Sequence, residues 1–181
     1  MGRKVLVLTG SPRRNGNSFA LADAFIRGAE AAGHEVMRFD AASASIQGCH
    51  ACNQCYRQGQ ACVFHDDFNR LAPMLEEAEV LALITPLYWF SFPAQIKAAI
   101  DKFYALLVGE REWKIRESLL MVTAETGDMQ DFDGVVRTFE LMNSYLKWKE
   151  RGRLLVPNVN LPGDITGTGA AATAEKLGRS L

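Results

Sequence analysis

Four cysteines lie within fourteen residues of one another, in the order Cys49-x2-Cys52-x2-Cys55-x6-Cys62. Thiolates are metal ligands, and three close cysteines followed by a fourth are typical of a [4Fe–4S] cluster, although the bacterial ferredoxin run has a shorter last gap. Zinc also binds thiolate-rich sites, but its usual second pair after a longer insert is missing. The residues alone leave open a [4Fe–4S] cluster, a zinc ion or free thiols.

A second candidate site is the polar loop that follows the first apolar run. Four successive apolar residues within Lys4–Thr9 precede the sequence GSPRRNGNS at positions 10–18. This loop lacks the patterns of a P-loop and of a dinucleotide fold. Its hydroxyls, its two arginines and the free N–H groups of a helix capped by Asn17 or Ser18 would suit a dianionic phosphate. The alternative is an ordinary strand–turn–helix connection.

A third candidate is a run of three aromatic residues, Tyr88, Trp89 and Phe90, in the stretch between an apolar run and Pro93. Proline and aromatic side chains suit the contact with a flat ring. Core packing or a subunit interface would explain the same aromatic residues without a ligand.

The elements that must position these residues alternate along the chain. The apolar patterns predict strands at 4–9, 34–39, 79–85, 118–123 and about 153–156. They predict helices from about 17, at 67–77, from Pro93 through Leu107, at about 132–146 and at about 171–181.

Five such units predict an α/β fold, with a doubly wound parallel sheet and helices on both faces. The flavodoxin-like strand order 2-1-3-4-5 fits best, with the second strand at an edge. In that order the loops after strands one, three and four converge at the carboxyl edge of the sheet. The polar loop and the aromatic run are two of these loops, and the third, at 124–128, contains a glycine that allows close backbone approach.

Three stretches, GSPRRNGNS, TPLYWFSFPAQIKAAIDKF and GCHACNQCYRQGQACVFHDDF, together resemble the NADPH-dependent FMN reductase and iron–sulfur flavoprotein family. The residues that the resemblance places on the FMN phosphate are Ser11, Arg13, Asn17 and Ser18. Those that it places along the isoalloxazine are Pro86, Leu87, Tyr88 and Trp89, and Phe90 joins them as the third aromatic residue of the run. The cluster ligands that it implies are Cys49, Cys52, Cys55 and Cys62.

The resemblance implies an FMN-dependent oxidoreductase that takes hydride from NAD(P)H and passes electrons to a small-molecule or protein acceptor, through a [4Fe–4S] cluster if the cysteines bind one. Hydride transfer to a flavin needs no acid–base side chain, so no catalytic residue is assigned. Two alternatives are a non-catalytic flavodoxin-like electron carrier, which the near-neutral charge disfavours, and a structural zinc-binding interaction protein.

Composition sets the remaining expectations. With 181 residues, 48% of them hydrophobic, the chain is expected to form one FMN-binding domain over 1–181 with a cysteine-rich loop at about 47–65. A net charge of −1 does not indicate binding to nucleic acid or to an anionic membrane surface. Val5–Leu8 is too short for a signal peptide core, so we expect a cytoplasmic protein.

The oligomeric state is the last expectation. The aromatic run around Trp89 and the segment Phe103–Leu107 would give a monomer more exposed apolar surface than is usual. The family resemblance points in the same direction. We therefore expect a homodimer or homotetramer.

Overall fold

The computed structural model describes residues 2–181 and is built on a five-stranded sheet. The strands are β1 (Lys4–Thr9), β2 (Glu35–Asp40), β3 (Val80–Pro86), β4 (Glu117–Thr123) and β5 (Lys149–Val156). Neighbouring strands are parallel throughout, and their order is β2-β1-β3-β4-β5. The predicted flavodoxin-like order is confirmed, with β2 at an edge.

Helices cover both faces of this sheet. They are α1 (Asn17–Ala31), α2 (Phe68–Glu77), α3 (Ala94–Asp101), α4 (Tyr104–Val108), α5 (Asp133–Leu146) and α6 (Ala170–Arg179). Val5 and Val7 of β1 pack with residues of α1 and α6, whereas Leu6 and Leu8 pack with residues of α2 to α5. Burial on both faces explains why the central strands are continuously apolar. Within residues 2–181, no helix is long and apolar enough to cross a membrane.

Two glycines let α1 and α6 pack backbone against backbone. A Cβ atom on Gly28 of α1 would lie 2.0 Å from the carbonyl oxygen of Glu175, and one on Gly178 of α6 would lie 2.1 Å from the carbonyl oxygen of Phe25. No larger residue fits at either position without a shift of the helices. The contact brings the end of the chain back beside α1, so the loop between β5 and α6 must pass near the start of α1.

Two local predictions are wrong. The helix predicted from Pro93 through Leu107 is broken into α3 and α4 at Lys102, whose ammonium is buried in an ion pair with Asp66. In the segment 103–107, Phe103, Ala105 and Leu106 are buried, and the exposed apolar side chains are those of Tyr104 and Leu107. The cap of α1 is Gly16 rather than Asn17 or Ser18, which are the first helical residues. The predicted last strand is present and ends at Val156 as expected, and it begins four residues earlier, at Lys149.

Candidate functional site

A cavity of about 350 Å³ lies at the carboxyl edge of the sheet, between the loops that follow β1, β3, β4 and β5. This volume is within the range of small-molecule and cofactor sites, about 300–1,000 Å³. The sequence-predicted residues that line it are Ser11, Arg13, Asn17, Ser18, Pro86, Leu87, Tyr88 and Trp89. Phe90 lies outside this lining and contributes instead to a shallower groove next to it, with Leu87 and Trp89.

The loop after β1 forms the polar end of this cavity. Ser11 is buried, and its Oγ accepts a hydrogen bond from the N–H of Arg13 at 3.2 Å. Gly16 precedes α1 in an extended conformation, and no side chain among the described residues caps that helix. Its first N–H groups are therefore available to a ligand, and the positive end of the helix dipole faces the cavity.

The buried start of α1 is tied to two other loops. Ser18 Oγ lies 2.7 Å from Thr123 Oγ1 at the end of β4. The side-chain amide of Asn17 donates to the carbonyl oxygen of Leu161 at 3.0 Å and accepts from the N–H of Ile165 at 3.2 Å. Asn17 thus fixes the loop after β5 beside the polar end of the cavity.

The aromatic run forms a tight turn at the opposite end. The backbones of Tyr88 and Ser91 bond each other in both directions, at 3.1 and 3.0 Å. Between them, Trp89 and Phe90 have φ values of 45° and 63°. Positive φ at both central positions is the type I′ geometry, which Asn and Gly usually occupy. Bulky residues in this conformation cost on the order of 1–3 kcal/mol each, and such strain clusters at functional sites. The Trp89 side chain is 92% exposed.

The loops after β4 and β5 complete the cavity; the first was predicted to converge here, whereas the second was not predicted. The lining residues are Thr123, Ala124 and Glu125 from the first loop and Val159, Asn160 and Pro162 from the second. Backbone bonds join the two loops, since the N–H of Val159 donates to the carbonyl oxygen of Ala124 at 2.8 Å. The guanidinium of Arg13 also donates to the carbonyl oxygen of Asn160, at 3.2 Å.

A larger cleft of about 640 Å³ lies at the opposite, amino edge of the sheet. Its lining is mostly charged, and two of its cations, Arg3 and Lys4, are already paired with Glu117 and Glu77. None of the sequence-predicted site residues lines it. Because ligands of open parallel sheets bind beyond the carboxyl ends of the strands, the smaller cavity is the better candidate.

The four cysteines surround one small cavity of their own. Cys49, Cys52, Cys55 and Cys62 all line it, together with Lys102 at the end of α3. Burial and the nearby Cys62, Cys52 and Cys49 raise the pKa of the Cys55 thiol. In the described part of the chain, no group of three or more His, Cys, Asp or Glu side chains has the arrangement of a metal site. The donor set, four thiols around one cavity, nevertheless fits the ligands of a [4Fe–4S] cluster.

Both ends of the cysteine loop are fixed to the protein. Asp66 accepts hydrogen bonds from the N–H groups of Gln47 and Phe68, each at 3.1 Å. The amide of Asn69, in the first turn of α2, accepts from the N–H of Cys62 at 2.7 Å and donates to its carbonyl oxygen at 3.1 Å. The loop is thus anchored where it begins and where it ends.

A second anchor lies in the middle of the loop. The hydroxyl of Tyr56 donates to one carboxylate oxygen of Glu76 at 2.5 Å, and the guanidinium of Arg111 donates to the other at 2.7 Å. The same guanidinium lies 5.1 Å from the centre of the Tyr56 ring. The hydrogen bond from Arg111 lowers the pKa of Glu76, whereas burial and the bond to Glu76 raise the pKa of Tyr56. These three residues join the loop to α2 and to the segment after α4.

Strand order 2-1-3-4-5 with a cavity across the carboxyl ends of the strands defines a flavodoxin-like α/β protein. The model of the NADPH-dependent FMN reductase family matches residues 3–146, and the chain belongs to this family.

Individual relatives agree with this assignment. Two proteins of Archaeoglobus fulgidus, both named iron-sulfur flavoprotein, are similar in sequence. One is 34% identical over 99 residues, covering 55% of this chain and 44% of the relative. The other is 32% identical over 124 residues, covering 68% of this chain and 62% of the relative. The chain thus spans about half the length of these relatives.

A solved structure is similar over nearly the whole chain. It is the NAD(P)H:quinone oxidoreductase from Methanothermobacter marburgensis, with a TM-score of 0.73 and 21% identity. The match covers 99% of this chain and 97% of that one. This likeness supports the fold.

Proposed function

We propose that the chain forms one FMN-binding domain and is an oxidoreductase that takes hydride from NAD(P)H and passes electrons to a small-molecule or protein acceptor. The observation that carries this proposal is the cavity at the carboxyl edge, with hydroxyls, a guanidinium and the start of α1 at one end and an aromatic turn at the other. Membership of the NADPH-dependent FMN reductase family supports it.

The chain's own residues bind and orient the flavin. The hydroxyls of Ser11 and Ser18, the guanidinium of Arg13 and the first N–H groups of α1 hold the phosphate by charge-assisted hydrogen bonds. The turn with Tyr88 and Trp89 would lie against the ring system and limit its access to water. Bound FMN supplies the redox chemistry, and the protein supplies orientation and electrostatics.

Substitution of two neighbouring arginines tests the site. Arg13 lines the cavity, whereas Arg14 is exposed and lies outside its lining. Arg13→Ala is expected to weaken FMN binding about tenfold or more with little effect on riboflavin, because only FMN carries the phosphate. Arg14→Ala is the matched control and should bind both ligands like the wild type. Equal losses of FMN and riboflavin in Arg13→Ala would refute the phosphate assignment.

A steady-state assay tests the activity itself. The purified protein should be yellow, and its flavin should bleach under NADPH or NADH and recover when an artificial acceptor is added. Turnover that requires an added reductase protein would identify an electron carrier instead.

For the cysteines we propose a [4Fe–4S] cluster held by Cys49, Cys52, Cys55 and Cys62. Their convergence on one cavity supports this, as do the names of the two Archaeoglobus relatives. Anaerobically purified protein should contain about four irons per chain and absorb in the visible beyond its flavin. One zinc per chain, or iron-free protein that still reduces flavin, would refute the cluster and leave the FMN site intact.

For the assembly we propose a homodimer or homotetramer. Four exposed apolar side chains support an interface: Trp89, Phe90, Tyr104 and Leu107. A single subunit usually leaves such surface open only where it binds something. Light scattering at micromolar concentration should give at least twice the 20.0 kDa mass of the chain. A monomeric mass would exclude the proposal.

A further inference from the structure

Lys102 is a buried cation that the FMN site does not use. Its side chain is 3% exposed and that of its partner Asp66 is 7% exposed. Buried lysines are rare unless they are paired, because removing an ammonium from water costs several kcal/mol. The position also interrupts an otherwise continuous helical pattern, between α3 and α4. Since replacing a buried ion pair by apolar residues is often neutral or stabilising, the pair is weak evidence for a role in stability alone.

The ammonium faces the cysteine loop. Lys102 Nζ lies 3.7 Å from the sulfur of Cys62, within the range of an N–H···S hydrogen bond. Lys102 is the single lysine or arginine among the residues that line the cysteine cavity in the described structure. The remaining bonds of Asp66, to the N–H groups of Gln47 and Phe68, fix the carboxylate that orients this ammonium.

Cys62 is the cysteine whose spacing differs from the others, because six residues separate it from Cys55. Asn69 fixes its backbone through two hydrogen bonds, and Lys102 approaches its sulfur. The two contacts come from different elements, α2 and the end of α3. Backbone and sulfur of Cys62 are therefore both positioned by the fold.

We infer that Lys102 is a positioning and tuning residue for the group bound by the four cysteines, and that its ammonium raises the reduction potential of that group. This inference rests on the proposed [4Fe–4S] cluster. The physical basis is charge: one-electron reduction adds a negative charge to a cluster with four thiolate ligands. A nearby cation and an N–H···S bond stabilise the more negative form. The ion pair with Asp66 holds the buried ammonium in this position.

The test is a redox titration of the iron-loaded holoprotein, followed by electron paramagnetic resonance. Lys102→Met is combined with Asp66→Asn so that no unpaired charge is left buried. This double variant should keep its iron and FMN but have a lower midpoint potential than the wild type. Lys102→Arg retains the cation and should keep a potential near that of the wild type.

Lys97→Met is the matched control. Lys97 lies in α3, five residues before Lys102, but its side chain is 42% exposed and pairs with Asp101. Its removal should leave the potential unchanged. A double variant with wild-type potential would overturn the inference, and so would one that loses its iron while keeping FMN, since Lys102 would then only hold the loop. Iron-free wild-type protein would instead refute the proposed cluster, and with it this inference.

Discussion

Ser18 Oγ and Thr123 Oγ1 lie 2.7 Å apart, and both side chains are buried. The bond joins the first turn of α1 to the end of β4, so it connects the polar loop with the third of the converging loops. Both residues line the cavity as well. Their hydroxyls therefore serve the fold and are placed to meet a ligand.

Ser18→Ala is expected to weaken FMN binding roughly tenfold more than riboflavin binding, which corresponds to the loss of about one hydrogen bond to phosphate. Thr123→Val removes the same internal bond but leaves the Ser18 hydroxyl in place. Both variants should lose about 1 kcal/mol in the free energy of unfolding. Titrations followed by flavin fluorescence measure the affinity of each variant for FMN and for riboflavin. The same ratio of the two affinities in both variants would argue against Ser18 as a phosphate ligand.

The strained turn gives a prediction in which stability and binding move in opposite directions. Trp89→Gly relieves a φ of 45° and should raise the free energy of unfolding, by up to about 1 kcal/mol, or leave it unchanged. The same change removes an aromatic side chain from the cavity lining and should weaken flavin binding.

Phe90→Gly is the matched control for this turn. Phe90 shares the positive φ but lies outside the main cavity. The Phe90→Gly variant should have a free energy of unfolding that is raised like that of Trp89→Gly, and it should bind FMN nearly like the wild type. Thermal unfolding of the apoprotein and FMN titration together test the pair. If both variants bind FMN equally well, Trp89 has no role in holding the flavin.

The fold was predictable because its decisive signals are local. Val5–Leu8 and Val80–Ile84 are short continuous apolar runs followed by Gly or Pro, which is typical of strands covered on both faces. The strand order then placed the polar loop and the aromatic turn at one edge.

What could not be predicted depends on contacts between distant parts of the chain. Asn160 and Pro162 reach the cavity because α6 packs on α1 through Gly28 and Gly178, and Asn17 fixes the intervening loop. A glycine within each helical pattern was the one available signal of that close contact. The break at Lys102 likewise depends on Asp66, which is 36 residues earlier in the chain.

The anchor formed by Tyr56, Glu76 and Arg111 predicts a pH dependence of stability. The hydrogen bond from Arg111 lowers the pKa of Glu76 below its ordinary value of 4.5. Its stabilising contribution is therefore complete above about pH 4.5 and is lost as the pH falls through the lower, folded value. Glu76→Gln should cost about 1 kcal/mol or less at pH 7, because Arg111 is 47% exposed, and less still at pH 3.

Urea unfolding at several pH values measures this difference. Glu112→Gln is the control, because Glu112 is an exposed neighbour that forms no ion pair with any residue in 2–181. It should have little effect at either pH. A loss in Glu76→Gln that is as large at pH 3 as at pH 7 would show that packing, rather than the charge of Glu76, holds the cysteine loop there.

The contact between α1 and α6 gives the last prediction. A Cβ atom at Gly28 would lie 2.0 Å from the carbonyl oxygen of Glu175, so Gly28→Ala must separate the two helices. We expect a loss of about 1–3 kcal/mol in the free energy of unfolding. Because α6 holds the loop that contains Asn160 beside the polar end of the cavity, FMN binding should weaken as well. Gly48→Ala is the control, since a Cβ atom there meets nothing within 4 Å. A Gly28→Ala variant that is destabilised but binds FMN normally would show that Asn17, Arg13 and the backbone bonds to the loop after β4 hold the loop after β5 without α6.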